Sequence, residues 1–538
     1  MTLRNRSLVL ALITLLAAGC GKRAAETATP AAPEAALAAV PQPGHRPPGI
    51  DWYAGDVDAA FAAARAAGKP VFLYWGAEWC PPCAQIKSTI FSQREFQERS
   101  RLFVPVYLDG DTPSAQKQGE RFGVVGYPTM ILFKPDGTEI TRLPGGVDIS
   151  RYAKILDVAL AGARPVSEIL AAAGRGDAVT ASDWKLLAYY SWGSDNGRIL
   201  PQEQKQTTFA ALAQRCPAEM PGECARFFFA HLAAAASASA TGKPALDGLA
   251  RADARRKLLA LLPMPSVQAA NVDSLLYGPK DLIGLLSDAG TPERAELVRT
   301  WDAALAQLGT PTIPLSAPEQ LLRLRANILL AKLAAPSEDS PLPPALLDEA
   351  RQAVARVDAE TSDGYARQAA INAAANLYWE AGLTAEASTL LTAELEKSKS
   401  PYYFMLDLAD LARKAGRKQE AVDWLARAYA GAEGPATRFQ WGTNYLMGLL
   451  EMTPEDVPAI ETAGLSVIGE LEGAPDAFYQ RTRMRLEKLD TSLREWGQQG
   501  AAAQAVTRLR ERTGEICRKL PENDPGRANC EKFLSPAA

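Results

Sequence analysis

The chain has 538 residues, 47% of them hydrophobic, with 58 basic against 62 acidic side chains. At about 150 residues per domain that length implies two to four domains, and the apolar fraction is enough to fill their cores. A net charge of −4 offers no basic surplus of the kind a nucleic-acid partner requires, so that class is set aside.

At the N-terminus, Arg4 and Arg6 precede the apolar run Leu8 to Leu16, then Ala17-Ala18-Gly19 and Cys20. A short apolar run with a basic front and a small-residue exit reads as an export signal, not as a spanning helix. Ala-Ala-Gly-Cys resembles the lipobox of bacterial lipoproteins, although Ala17 stands where leucine is commoner. That resemblance makes residues 1–19 the signal peptide and Cys20 the lipidation site, and it implies anchoring to a membrane. Gly21, where lipoproteins retained at the inner membrane carry Asp, points to the outer membrane and a periplasmic location. The alternative is an ordinary cleaved signal with an incidental cysteine. Residues 20–49, rich in Ala and Pro, read as a disordered tether reaching on the order of 30 Å as a coil and about 90 Å as polyproline II.

Residues 50–163 alternate in period. A helix is expected over 56–67, with Val57, Ala60, Phe61 and Ala64 at helical spacing, and Gly68-Lys69-Pro70 breaks it. Val71 to Trp75 is a buried-type strand, followed by a helix from the Cys80-Pro81-Pro82-Cys83 turn to about Phe91 and a further helical piece over 95–101. Strand 103–108, helix 114–122, strand 130–133, a hairpin at Asp136-Gly137, strand 139–142 and a closing helix over 148–161 complete an α/β domain.

Cys80 is expected at the N-cap of its helix, with Pro81 at N1, where a missing N–H costs nothing. Pro82 also lacks an N–H, which leaves the Cys83 amide as the one cap donor in that turn for a Cys80 thiolate. The helix dipole and that amide are expected to lower the Cys80 pKa. Two cysteines so spaced can exchange between dithiol and disulfide. Ala84 after Cys83 excludes haem c attachment.

The combination Trp79-Cys80-Pro81-Pro82-Cys83 after an apolar strand, with Gly126-Tyr127-Pro128-Thr129 before a hairpin, resembles the thioredoxin fold. Lys69-Pro70-Val71 through Cys83 and Phe91-Ser92 are similar to periplasmic domains of the DsbD C-terminal type. The resemblance implies Cys80 as an exposed nucleophile, Cys83 as the resolving thiol, and Pro128 as a cis-proline beside the disulfide. Trp79 and Tyr127 would line the substrate site. Tyr74 stands where many thioredoxins carry a buried Asp, and the companion lysine is missing, so Cys83 needs another proton acceptor. Glu78 is the nearest carboxylate in sequence, read either as a rim surface charge or as a participant.

Beyond residue 164 strand signals vanish and Ala/Leu-rich helical patterns continue to about Leu520. Gly382 and Gly416, Glu386 and Glu420, Ala387 and Ala421, Leu391 and Leu425, and Pro401 and Pro435 are each 34 residues apart. This resembles the tetratricopeptide (TPR) period, with units at 367–400 and 401–434, a degraded neighbour at 435–468 and an upstream pair near 318–335 and 344–359. A helical domain over 164–317 and a TPR-like region over 318–538 follow; a bespoke bundle is the alternative. Phe227-Phe228-Phe229 and Tyr402-Tyr403-Phe404 read as core or as a binding surface.

Apart from Cys20 the cysteines form three local pairs, 80/83, 216/224 and 517/530, and an even set in an exported chain suggests disulfides. Cys216 and Cys224, and Cys517 and Cys530, each enclose a Pro/Gly loop and read as structural disulfides. With only His45 and His231 present a mixed zinc site is poorly supplied, although a Cys-only site is a competitor. The expected whole is an α/β thioredoxin-like domain followed by a large all-α, TPR-like region. It would act as a cell-envelope thiol:disulfide oxidoreductase with no metal and no cofactor beyond its redox-active disulfide. Its partners would be protein thiol or disulfide substrates, selected by the helical region, and a redox partner. The alternative is a non-enzymatic scaffold lipoprotein with a structural Cys80–Cys83 bond.

Overall fold

The computed structural model describes residues 46–143, 145, 149–242, 246–337, 340–474 and 476–535. The expected signal, the lipidation site Cys20 and the tether up to residue 45 lie outside the described residues. Pro47 and Pro48 are held against the domain that follows. The buried Trp52 indole needs an acceptor and finds it in the Pro47 carbonyl at 3.1 Å, while Gln97 Nε2 donates to the Pro48 carbonyl at 3.3 Å. Pro47 and Pro48, expected in the tether, are thus part of the packing around Trp52 and Gln97.

Helix α1 (Val57–Ala67) starts where Asp56 accepts the Ala59 N–H at 2.7 Å and stops at Gly68, whose φ of +63° suits a residue without Cβ. Strand β1 (Val71–Gly76) is buried throughout because it is central and covered on both faces. Its side chains alternate: Val71, Leu73 and Trp75 pack with Val57, Phe61, Ile131 and Phe133, whereas Phe72 and Tyr74 turn to the opposite core with Phe91 and Phe96. The sheet order is β2 (Val104–Asp109), β1, β3 (Thr129–Phe133), β4 (Glu139–Leu143), with β1 parallel to β2 and antiparallel to β3.

After β1 comes α2 (Pro81–Ile86), which widens into a π-helical turn, Lys87–Phe91, where sequence alone suggested one continuous helix. Then follow α3 (Arg94–Arg99), α4 (Ala115–Arg121) between β2 and β3, and α5 (Ile149–Leu160) after β4. From Val166 to Lys532 the described secondary structure is helical, apart from one isolated bridge, Thr310 to Ile313. Among the described residues no helix is long and apolar enough to cross a membrane.

Within the helical region, Gly364–Glu380 pairs with Thr384–Glu394, Pro401–Lys414 with Lys418–Gly431, and Pro435–Met452 with Val457–Gly469. Gly382 and Gly416, 34 residues apart, both take φ +74° in the turn inside a pair. That backbone region is costly for any residue with a Cβ, which explains the repeat of glycine at that spacing. Ala387 and Ala421 are buried in the second helix of each pair. One apolar core runs without interruption from Phe72, Tyr74 and Cys83 through Phe439, Trp441 and Leu486, so the sheet and the helices bury each other.

Candidate functional site

The chain leaves β1 at Gly76 and turns at Ala77-Glu78-Trp79, with the Cys80 N–H donating to the Ala77 carbonyl at 3.4 Å. Cys80 is the N-cap of α2, with Pro81 and Pro82 in the first two positions. The Cys83 N–H donates to Cys80 Sγ at 3.2 Å. Cys80 and Cys83 are disulfide-bonded, with their Cα atoms 5.2 Å apart. Trp75, at the same end of β1, pairs with Thr129, and the Tyr127–Pro128 peptide just before Thr129 is cis. Sheet register thus brings Pro128 to the end of the sheet from which the cysteine turn departs. Trp75 and Tyr127 pack with ring centroids 4.5 Å apart, and Trp79 meets Tyr127 edge-on at 5.7 Å.

Tyr74, on β1, is buried in the same core as Cys80 and Cys83. Its hydroxyl and that of Tyr107 are buried with no hydrogen-bond partner among the described residues. Burial, helped by the charges of Asp109 and Glu78, pushes the Tyr74 phenol well above its ordinary value, so it stays neutral. Glu78 is not a solvated rim charge. It receives Lys87 Nζ at 2.7 Å, and Lys87, on the π-helical turn, is only 1% exposed at its side chain. Tyr365 of the Gly364–Glu380 helix hydrogen-bonds Glu78 and lies under the ammonium, 4.6 Å from Nζ to ring centroid. Burial, then the Glu78 charge, raises the Tyr365 phenol.

Comparison with known proteins bears on this geometry. The model of a thioredoxin-like domain family matches residues 57–160. Residues 57–160 are a thioredoxin-like domain. The thiol:disulfide interchange protein DsbD 1 of Pseudomonas aeruginosa is 33% identical over 104 residues, covering 19% of this chain and 18% of its own. DsbD of Cronobacter sakazakii is 35% identical over 102 residues, covering 18% of this chain and 17% of its own. The chain therefore spans less than a fifth of the length of these relatives. A solved thioredoxin from Thermus thermophilus aligns with 20% of this chain and 85% of its own at 29% identity and a TM-score of 0.19.

The thioredoxin-like domain does not present Cys80 to solvent, contrary to the exposure expected from sequence: Cys80 is 3% exposed and Cys83 fully buried. The cause is the helical region, whose ends lie over the turn. Trp79 Nε1 donates to Thr437 Oγ1 at 2.9 Å, and Gln368 Nε2 donates to the Trp79 carbonyl at 3.2 Å. Trp79 stacks on Tyr403 at 6.1 Å and meets Trp441 edge-on at 4.7 Å. Of the Tyr402-Tyr403-Phe404 cluster, Tyr402 and Phe404 are core and Tyr403 serves this contact, whereas Phe227, Phe228 and Phe229 are all buried.

Asp111, after β2, anchors the cover. It accepts the Thr437 N–H at 2.7 Å and the Thr437 hydroxyl at 2.5 Å, so Thr437 relays the Trp79 indole to a carboxylate. Burial and the charge of Asp109 push Asp111 up to about 7 against the pull of the Thr437 donors. On the neighbouring side α4 docks on the start of the Gln480–Trp496 helix. The Gln116 N–H donates to Asp476 Oδ2 at 2.7 Å, the Gln480 N–H to Glu120 Oε2 at 2.9 Å, and the Arg481 N–H to Gln116 Oε1 at 3.2 Å. Arg481 then reaches over Tyr127 and Trp79, 4.9 and 5.7 Å from their centroids. Sequence reasoning did not find Thr437, Gln368, Asp111 or Arg481, which lie hundreds of residues from, or on another loop than, the groups they meet.

The remaining cysteines are bonded as local pairs, Cys216–Cys224 and Cys517–Cys530, with Cα separations of 5.5 and 5.6 Å. Among the described residues no group of three His, Cys, Asp or Glu side chains is placed to hold a metal ion.

Proposed function

We propose that the protein is a cell-envelope thiol:disulfide oxidoreductase acting on protein cysteines through Cys80 and Cys83. The observation that carries this reading is the bonded pair at a helix N-terminus, with the Cys83 amide on Cys80 Sγ, inside a thioredoxin-like domain whose Tyr127–Pro128 peptide is cis. The relatives named thiol:disulfide interchange proteins support it over that domain. In the reducing direction the Cys80 thiolate attacks one sulfur of a substrate disulfide, and the other leaves as a thiolate that takes up a proton. The Cys83 thiolate then attacks Cys80 Sγ and releases the second substrate thiol. Two electrons pass from the dithiol to the substrate, and the reverse sequence oxidises a substrate dithiol. No cofactor beyond this disulfide enters. Trp79 and Tyr127 line the docking site, the TPR-like helices select the substrate or redox partner, and Cys20, acylated after signal removal, holds the protein at the periplasmic side of a membrane, the outer one by the residue at position 21.

One observation favours a second reading, a scaffold with a structural Cys80–Cys83 bond: the pair is covered. Replacing Cys83 with Ala separates the two. An oxidoreductase then accumulates mixed disulfides at Cys80 in cells, and the unmodified protein catalyses reduction of insulin by dithiothreitol. Absence of both adducts and catalysis would leave the scaffold.

A further inference from the structure

Several partly buried arginines in this protein are matched by carboxylates. Arg367 meets Glu394 and Asp358, Arg438 meets Glu470, Arg226 meets Asp273, and Arg142 meets Glu139. Arg481 and Arg485 are different. Four apart on the Gln480–Trp496 helix, they share one face, and among the described residues neither has a carboxylate close enough to act on it. Arg481 Nε donates to the neutral Gln440 Oε1 at 2.8 Å, and Arg485 Nη1 to the neutral Asn444 Oδ1 at 3.2 Å. Burial lowers both, and the positive charge of Arg481 helps to bring Arg485 down to about 10. Two like charges withdrawn from water without a counter-ion are unfavourable by themselves, and such arrangements concentrate at functional sites.

Their position is equally specific. Both arginines line a cleft of about 10 Å³ with Trp79, Tyr127, Thr437 and Gln440, directly beside the cysteine turn. Arg485 also opens onto a groove of about 880 Å³ between the Pro401–Lys414, Pro435–Met452 and Gln480–Trp496 helices, where Arg413 is paired with Asp410 and Glu451, and Lys488 and Glu495 add one charge of each sign. The pair therefore stands between an open groove and the redox turn.

We propose that Arg481 and Arg485 recognise a carboxylate on the thiol or disulfide substrate, supplied by an Asp or Glu of a polypeptide lying in the groove. This rests on the oxidoreductase reading of Cys80 and Cys83. One helical turn separates Arg485 from Arg481, about 6 Å, and Arg481 stands 5.7 Å from the Trp79 ring. At about 3.3 Å per extended residue, the acidic residue falls some three or four positions from the substrate cysteine. A peptide carboxylate drawing Arg481 off the Trp79 and Tyr127 rings at the same time loosens the cover over Cys80.

The test uses the full-length protein, reduced with dithiothreitol and desalted. It is offered two peptides, each a mixed disulfide with 2-thiopyridine, with Glu or Gln four residues from the cysteine. Cys80 attacks the peptide sulfur and expels pyridine-2-thione, which is read by absorbance; Cys83 then closes the protein disulfide and frees the peptide thiol. We expect kcat/KM at least tenfold higher for the Glu peptide. That preference shrinks with added salt, disappears in Arg485→Gln and Arg481→Gln, and is partly kept in Arg485→Lys. Arg485→Gln leaves the contacts on Trp79 and Tyr127 in place, which guards against a fold defect in the Arg481 variant. Equal rates for the two peptides overturn the proposal while leaving the oxidoreductase reading intact. No thione release from either peptide overturns the oxidoreductase reading and the proposal with it. Preference for oxidised glutathione over 2-hydroxyethyl disulfide with no preference between the peptides overturns the polypeptide assignment in favour of a small acidic thiol.

Discussion

Asp111 titrates near neutrality in a position that pins Trp79 through Thr437, so closure of the helical region over Cys80 is expected to weaken as pH rises. Burial is the first cause of its elevation to about 7 from 3.8, the Asp109 charge the second. Between those values the closed form holds a proton that an open form, with Asp111 in water, has released. Closure is therefore fully supported below pH 4 and loses that support as pH climbs through 7. About three pH units at roughly 1.4 kcal/mol each set a ceiling of about 4 kcal/mol. Asp111 keeps partial solvent access even when closed, so roughly 2 kcal/mol is the better figure, or about thirtyfold in the opening constant. The Thr437 amide, which donates to Asp111 Oδ1, is the reporter. Its hydrogen-exchange protection, corrected for the intrinsic pH dependence of exchange, should fall about thirtyfold between pH 3.5 and 8 in the native protein and stay level in Asp111→Asn. Parallel profiles for the two proteins would refute the reasoning.

Asp407 has a buried Oδ2 without a hydrogen-bond partner among the described residues, and burial followed by the Asp410 charge lifts it to about 7. Its ionisation penalises the folded state increasingly from about pH 4 to 7, so Asp407→Asn should match the native protein in urea unfolding at pH 3 and exceed it by roughly 2 kcal/mol at pH 8. Replacing Cys517 and Cys530 by Ser opens a loop of sequence separation 13. The chain-entropy estimate is about 3 kcal/mol, read as a lowered Tm, with thiol exchange at Cys80 unchanged. Gly416→Ala forces a Cβ into φ +74° and should cost about 1 to 2 kcal/mol; the same change at the helical Gly284, which has open space around it, should be neutral or slightly stabilising. In the reduced protein the Cys80 thiol, capped by one amide, should titrate below about 8.5, followed by thiolate absorbance; an ordinary value would show that the helix end contributes little.

What sequence made legible here is what is local. The Cys80 cap depends only on residues 80–83, and two prolines leave one amide to donate, which is the arrangement found. The strands were recognisable because β1 is apolar on both faces and lies between turn signals. The helix-pair turns at Gly382 and Gly416 were recognisable because a positive φ is a property of one residue. The cover was not legible for the same reason. Trp79 and Thr437 are 358 positions apart, and helical periodicity says that a face is apolar without saying what it will meet. The environment of Glu78, open on sequence between a rim charge and a participant, was not legible because its neighbours in sequence, Ala77 and Trp79, give no sign of Lys87, which the π-helical turn carries into a buried pair beneath Tyr365. Arg481 and Arg485 sit in a stretch with Glu487 and Asp490 nearby, which on sequence alone suggests ordinary surface pairing.

Two polar groups of Trp79 are satisfied by the helical region, its indole N–H by Thr437 and its carbonyl by Gln368. A substrate segment that docks against Trp79 must replace these contacts before it gains anything. Two hydrogen bonds at about 1 kcal/mol net each and two aromatic contacts at about 0.5 to 1.5 kcal/mol each put the closed arrangement a few kcal/mol below an open one. A peptide that offers only backbone and a cysteine gains little beyond that figure. One that also supplies a counter-ion to Arg481 and Arg485 gains the neutralisation of two charges that the protein leaves unmatched. The cover thus acts as a threshold: it discriminates by raising the binding energy that a substrate must bring before Cys80 is reached, and the unmatched arginines define the kind of substrate able to bring it.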